Sequence, residues 1–156
     1  MSSECFVATR TISATPTAIF AVLSDPARHR DTEPTDWVRD AVNPERITGA
    51  GQIFTMNMYL EAAGGHYVTH NLVTEFDPDR VIAWMPGRLD NAGNHAGGGW
   101  FWRYELAPVA NRTGVTLIYD WTATPQAFRD QIGGMPPFPE DYLSASLASL
   151  ERSVTD

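Results

Sequence analysis

Residues Pro139 to Val154 read PEDYLSASLASLERSV and form the one long amphipathic segment of the chain. The large apolar side chains recur at i, i+4, i+7 and i+11, the spacing of one helical face: Leu143, Leu147, Leu150 and Val154. A proline at the first helical position and two acids in the first turn are typical of a helix N-terminus. The segment therefore predicts a helix of roughly 25 Å, enough to cross a small domain.

Ahead of this helix, short segments of alternating or β-branched residues predict strands joined mostly by tight turns. The predicted strands are Phe6 to Ile12, Gln52 to Ala62, His66 to Phe76, Arg80 to Met85, Trp100 to Leu106 and Val115 to Thr122. Hairpins in series predict an antiparallel sheet, and a single amphipathic helix after them must cover one face of it.

Helix-start signals lie between the first two strands. Thr15-Pro16 and Asp25-Pro26 each place an N-cap residue before a proline, which predicts two short helices, the second around Ala27 to Arg30. Thr124-Pro125 predicts another short helix through Ile132. The polar stretch from Asp31 to Asn43 has no clear assignment.

A glycine-rich segment, Pro86 to Gly99, contains five Gly and two Asn without periodicity, which predicts a long mobile loop. Its second half, Gly93 to Gly99, has neither a GxGxxG pattern nor a P-loop lysine. The segment is therefore interpreted as a flexible lid rather than a phosphate-binding loop.

Composition limits the class of protein. A chain of 156 residues with 43% hydrophobic residues predicts a single globular domain, residues 1–156, with its own core. The net charge of −8 argues against nucleic-acid or anionic-membrane partners. Cys5 is the sole cysteine, so an intramolecular disulfide is excluded. No signal peptide or membrane span is visible, so we expect a cytoplasmic protein.

Several segments together resemble the START-like (SRPBCC) superfamily of helix-grip proteins, which includes Bet v 1 relatives and polyketide cyclase/dehydrase-like bacterial proteins. They are ISATPTAIFAVLSDPARH at 12–29, GAGQIF at 49–54, VTEFDPDRVIAW at 73–84, WRYELAP at 102–108, TGVTLIYDW at 113–121 and SLASLERSV at 146–154. The resemblance implies an α+β fold, in which a seven-stranded antiparallel sheet curls around the long C-terminal helix, with two short helices after the first strand. It also implies an apolar cavity between sheet and helix.

Bulky side chains of equal parity predict the wall of that cavity if the corresponding strand faces point toward the helix. The candidate ligand-binding residues are Phe54, Met56, Met58, Asn71, Trp84, Trp100, Trp102, Tyr104, Tyr119, Trp121, Leu143 and Leu147. The alternative is that these residues fill the core. Thr69 and Asn71 are polar at the parity of Val73, and could orient a ligand or be satisfied core groups.

Catalytic candidates are few: Asp120 between aromatics on a strand, His95 in the glycine-rich segment, and Tyr104. Parity favours a solvent-facing Asp120, although a buried one could act as a base. Arg103 and Glu105 alternate with the aromatics and are interpreted as outward-facing.

Metal and cofactor sites are not predicted. His66 and His70 share a strand face but lie about 13 Å apart, too far to share a metal. There is no GxSxG motif and no sign of a cofactor.

Three functions stay open from the sequence. The first is binding of a small hydrophobic or aromatic ligand in the cavity. The second is a cyclase or dehydratase type of enzyme that uses the same cavity. The third is a protein-interaction module like the chaperone-activator branch of the superfamily, which would show an exposed apolar patch and a shallow cavity. A homodimer is compatible with each of them.

Overall fold

A computed structural model describes residues 4–155 of the chain. Its α+β fold is a curled antiparallel sheet of seven strands in the order β1-β8-β7-β5-β4-β3-β2, with the short strand β6 paired to β5. The strands are β1 Cys5–Ile12, β2 Val38–Ala41, β3 Ile53–Leu60, β4 Gly65–Asp77, β5 Val81–Leu89, β6 His95–Gly97, β7 Phe101–Val109 and β8 Arg112–Asp120. The α-helices are α1 Pro16–Leu23, α2 Gln126–Gln131 and α3 Asp141–Thr155, and 3-10 helices span Pro26–Thr32 and Glu61–Ala63. The predicted helix-grip architecture is confirmed.

The terminal helix α3 buries the predicted leucine stripe completely, at Leu143, Leu147 and Leu150. It begins at Asp141, two residues after the predicted start, because Pro139 and Glu140 form a turn ahead of it. The helix packs on β1, β8, α1 and the 3-10 helix Pro26–Thr32. Its apolar face therefore covers the β1 side of the sheet.

The two short helices after β1 begin as predicted. The Thr15 side chain accepts a hydrogen bond from the Ala18 amide at 3.1 Å, and Asp25 Oδ1 accepts one from the Ala27 amide, also at 3.1 Å. These are the N-cap bonds expected of Thr-Pro and Asp-Pro starts. The second helix is of the 3-10 type and extends beyond the predicted range, to Thr32.

The prediction of a long mobile loop over Pro86 to Gly99 is wrong for much of that segment. Strand β5 continues to Leu89 and pairs with β6, and the Asp90 carboxylate accepts hydrogen bonds from the Ala92 and Asn94 amides in the connecting turn. A Cβ at Gly87 would overlap the Ala96 carbonyl oxygen. This glycine therefore allows two strands to approach closely.

The outer face of the sheet carries the charged residues whose outward orientation was predicted. Arg103 Nε donates to Glu75 Oε2 at 2.7 Å, and its guanidinium also pairs with Glu105. Cys5 lies in β1 as predicted and is half-buried. None of the helices within residues 4–155 has the length and apolar character needed to span a bilayer.

Truncation of the α3 stripe should destabilise the whole fold. We expect Leu147→Ala to lower the free energy of unfolding by about 2–5 kcal/mol, because it leaves a cavity at a fully buried position. Urea denaturation followed by circular dichroism measures the effect. The control Ser144→Ala changes an exposed position of the same helix and should shift stability by less than about 0.5 kcal/mol. Equal effects would contradict the proposed packing.

Candidate functional site

A cavity of about 810 Å³ lies between the inner face of the sheet and the segment that runs from α2 into α3. Strands β3, β4, β5 and β7 supply one side, and the opposite side comes from α2, Met135, Pro137 and the first turns of α3. Because α3 packs on the β1 side of the sheet, it leaves the β3–β5 side uncovered. The cavity occupies this uncovered part.

Most of the predicted ligand-binding residues lie on the cavity wall: Phe54, Met56, Met58, Asn71, Trp84, Trp100, Trp102, Tyr104 and Tyr119. Strict alternation places them there, because residues i and i+2 of a strand share a face. Thr69 lies on the same wall. The wall is therefore largely aromatic and Met-rich, with a small number of polar groups.

Three predicted residues do not reach the cavity. Leu143 and Leu147 are completely buried on the part of α3 that packs on the sheet and the N-terminal helices. Trp121 directly follows the end of β8 at Asp120 and packs edge-on against Phe6, with ring centroids 4.8 Å apart. Their placement in the ligand site is corrected: all three belong to the core.

His29 lies on the cavity wall at the middle of the 3-10 helix Pro26–Thr32, and only 5% of its surface is exposed. Its ring stacks on Trp84 with centroids 5.0 Å apart, and its Nε2 donates to the Leu23 carbonyl oxygen at 2.7 Å. Burial lowers the pKa of the imidazole below its usual value. The ring is therefore neutral at pH 7 and contributes a flat aromatic surface to the cavity.

Glu33 is a buried carboxylate on the same wall, with 7% of its surface exposed. Its Oε2 accepts hydrogen bonds from the Tyr142 hydroxyl at 2.9 Å, from the Thr35 amide at 2.8 Å and from the Thr35 hydroxyl. Its Oε1 accepts one from the Val38 amide at 3.1 Å. Four donors therefore converge on one carboxylate, in the polar stretch Asp31 to Asn43 that has no clear assignment from sequence.

The tyrosines of the wall are neutral hydroxyl donors. Burial raises the pKa values of Tyr104, Tyr119 and Tyr142 far above the ordinary range, and the negative charge of Glu33 adds to the effect at Tyr142. Burial also raises the pKa of Tyr67, whose hydroxyl accepts a hydrogen bond from Trp37 Nε1 at 2.6 Å. None of these groups becomes a base near neutral pH.

Ser146 contributes a further polar group to the wall from α3. Its side chain is 3% exposed, and its hydroxyl makes no hydrogen bond of acceptable geometry among the described residues, although it lies near Tyr142. Buried hydroxyls normally have partners, since an unpaired one is costly. The Ser146 hydroxyl therefore adds a polar group to the wall beside Tyr142.

The three catalytic candidates do not lie together in one site. Asp120 faces outward, as parity favoured, and its Oδ1 accepts from the Thr122 amide at 2.9 Å. His95 Nε2 donates to the His70 carbonyl oxygen at 2.8 Å and lies outside the cavity wall, next to Ala96 and Gly97, which are part of it. Only Tyr104 faces the cavity. Within residues 4–155, no three His, Cys, Asp or Glu side chains are grouped closely enough to hold a metal ion.

Among the residues of the site that sequence reasoning missed are Glu33 and His29. His29 belongs to a 3-10 helix, in which the 3.6-residue period does not apply. Glu33 follows that helix and hydrogen-bonds Tyr142, which is 109 positions away. The available local signal was a Glu followed two residues later by Thr35, whose amide can bond back to the carboxylate.

Comparison with known proteins supports the fold. No protein-family model matches the chain. The uncharacterised protein Rv0088 of Mycobacterium tuberculosis is 27% identical over 113 residues, which are 72% of this chain and 45% of that protein. The match therefore spans less than half of the relative's length.

Solved structures with the same architecture include protein CV1439 from Chromobacterium violaceum, with a TM-score of 0.69, 21% identity and 98% of both chains covered. Protein Ms6760 from Mycobacterium smegmatis has a TM-score of 0.66 and 16% identity, over 98% of this chain and 92% of that one. The Aha1 dimer from Colwellia psychrerythraea has a TM-score of 0.60 and 18% identity, over 96% and 95% of the two chains. At these identities the similarity shows a shared fold.

The buried His29 should make stability fall under mild acid. The unfolded chain has a histidine pKa near 6.5, whereas burial lowers the pKa of His29 in the fold. Below about pH 6.5 the unfolded state therefore binds a proton that the folded state does not bind. The free energy of unfolding declines until the pH reaches the pKa of His29 in the folded state. One such group contributes at most about 1.4 kcal/mol per pH unit.

Urea denaturation between pH 7.5 and 5.5 measures this slope. We expect His29→Gln to flatten it, although the variant is less stable at pH 7.5. The matched control His66→Gln alters an exposed histidine and should leave the slope of the wild type in place. A wild-type slope that persists in His29→Gln would disprove the assignment.

Proposed function

We propose that the protein is a START-like (SRPBCC) ligand-binding protein that takes a small hydrophobic or aromatic molecule into the cavity. The observation that carries the proposal is the cavity of about 810 Å³ with a largely aromatic and Met-rich wall. Ligand sites in proteins are typically cavities of about 300–1,000 Å³ with this character and a few polar groups. The curled sheet and the similarity of fold to the solved structures support the same conclusion.

The aromatic residues both fill and line the interior. Toward α3, the rings of Trp102, Phe138 and Tyr142 pack on one another, with centroids 4.9 to 6.4 Å apart. Toward β3 and β5, Phe54 and Trp84 pack with His29 and present their remaining surface to the cavity. The packed rings toward α3 hold the wall in place. The part of the cavity beside Phe54 and Trp84 provides the space for a flat or apolar ligand.

Enzymatic cyclase or dehydratase activity is supported less well. Such a reaction needs at least one acid or base positioned at the substrate. Of the residues singled out for that role, only Tyr104 reaches the cavity, and its raised pKa makes it a hydrogen-bond donor rather than a base. Binding is therefore the activity that the wall supports best.

The chaperone-activator alternative has one observation in its favour, the similarity of fold to the Aha1 dimer. That alternative calls for an exposed apolar patch and a shallow cavity, whereas the cavity here is large and its wall is apolar. The cytoplasmic location, the single domain and a homodimer remain predictions from the sequence.

A bulky side chain that blocks the cavity should weaken ligand binding. Thr69 is buried on its wall, so Thr69→Phe places a ring in the space that a ligand would occupy. We expect this variant to weaken binding of the neutral fluorescent probe N-phenyl-1-naphthylamine by about tenfold or more, equal to about 1.4 kcal/mol. Fluorescence titration measures it.

The same substitution on the opposite face of the same strand is the control. Thr74 is exposed on β4, and Thr74→Phe should leave probe affinity unchanged. If both variants bind like the wild type, the probe does not enter the cavity. A wild-type protein that binds neither this probe nor any lipid or flavonoid would overturn the proposed function.

A further inference from the structure

Glu33 is the feature of the cavity that apolar binding alone does not explain. Glu33 as a whole is 7% exposed, and it lies on the wall among Trp37, Tyr142 and Thr32. A charge taken out of water is costly unless it is paired or coordinates a cation. The hydrogen-bond donors and charges around Glu33 therefore indicate which interaction a ligand could supply.

Every hydrogen bond to Glu33 comes from a neutral donor: the Tyr142 hydroxyl, the Thr35 amide and hydroxyl, and the Val38 amide. None of the ion pairs found within residues 4–155 includes Glu33. The basic side chains on the cavity wall are His29, whose burial keeps it neutral, and Arg88, which is exposed at the rim. The carboxylate therefore has hydrogen bonds without a counter-charge.

The donors are distributed unevenly over the two oxygens. Oε2 accepts three hydrogen bonds, whereas Oε1 accepts a single bond from the Val38 amide at 3.1 Å. An ionised carboxylate has about four acceptor positions. Oε1 therefore retains capacity for one more donor.

The surroundings of Glu33 suit a cation in a second way. Trp37 lies beside Tyr142 with ring centroids 5.6 Å apart, and beside Trp102 at 6.2 Å. All three rings are on the cavity wall. Aromatic faces attract cations through the ring quadrupole, and the attraction strengthens where water is excluded.

We propose that the ligand is an amine: an apolar or aromatic body that carries one protonated nitrogen, which binds Oε1 of Glu33 beside the Trp37 and Tyr142 rings. This inference rests on the proposed ligand-binding function and narrows it to one chemical class. A carboxylate ligand would bring a second negative charge to Glu33 in a poorly screened interior. A neutral alcohol would supply a hydrogen bond but leave the charge uncompensated.

Three probes of one shape and different charge test the proposal on the wild-type protein. They are 2-(aminomethyl)naphthalene, which is cationic at pH 7, neutral 2-naphthalenemethanol and anionic 2-naphthoate. We expect isothermal titration calorimetry to show the amine bound at least about tenfold more tightly than the alcohol, since the ammonium adds charge–charge attraction to the hydrogen bond with the carboxylate. The carboxylate should bind most weakly.

Glu33→Gln should remove the preference, because the amide keeps an acceptor oxygen but not the charge. In that variant we expect amine and alcohol affinities within about threefold of each other. The control Asp120→Asn removes an outward carboxylate and should keep the full preference. A loss of preference in Asp120→Asn as large as in Glu33→Gln would assign the effect to overall charge and overturn the proposal.

The outcomes separate this inference from the proposed function. If N-phenyl-1-naphthylamine binds in a Thr69→Phe-sensitive way but the amine binds no better than the alcohol, the cavity binds ligands and the amine assignment is wrong. If neither these probes nor any lipid or flavonoid binds, the proposed function itself fails. Because the affinity order is measured on the wild type, the test holds even if Glu33→Gln does not fold.

Discussion

The burial of the leucine stripe of α3 is the constraint on which the rest of the structure depends. Three fully buried leucines on consecutive turns hold the helix against β1, β8 and the N-terminal helices. Burial of each such side chain contributes about 1.5–3 kcal/mol. Since the stripe is directed at one side of a curled sheet, α3 does not pack closely on the other side, and α2 lies across a gap from it. The cavity is thus a consequence of where the helix packs.

Polar groups give this apolar space a definite electrostatic character. The tyrosine hydroxyls are neutral because burial raises their pKa values, and His29 is neutral because burial lowers its own. Among residues 4–155, Glu33 is the one that brings a carboxylate to the wall, and backbone amides and hydroxyls hold it there. The interior is therefore apolar in area but anionic at one point, a combination that composition could not reveal.

Period-two alternation predicted the inner faces of β3 and β7 correctly, because a strand keeps its parity wherever it lies in the sheet. Parity placed Trp121 correctly on the inner side, but it could not show that this residue packs in the core beyond the cavity. The helical stripe could not show which part of the sheet Leu143 and Leu147 would contact. Glycine content suggested mobility in a segment where Gly87 allows close strand pairing. Glu33 escaped prediction because its site is assembled from contacts distant in sequence, and no local period encodes such contacts.

The hydrogen bonds of Glu33 also connect two elements that extend beyond the cavity. Its carboxylate joins the first turn of α3, through Tyr142, to the amide of Val38, where the edge strand β2 begins. A single side chain therefore fastens the terminal helix to the margin of the sheet. A donor that binds the free acceptor position of Oε1 joins the same hydrogen-bonded group as the Val38 amide. Ligand binding in the cavity would then change the amide hydrogen exchange of Thr35 and of Val38 at the edge of the sheet.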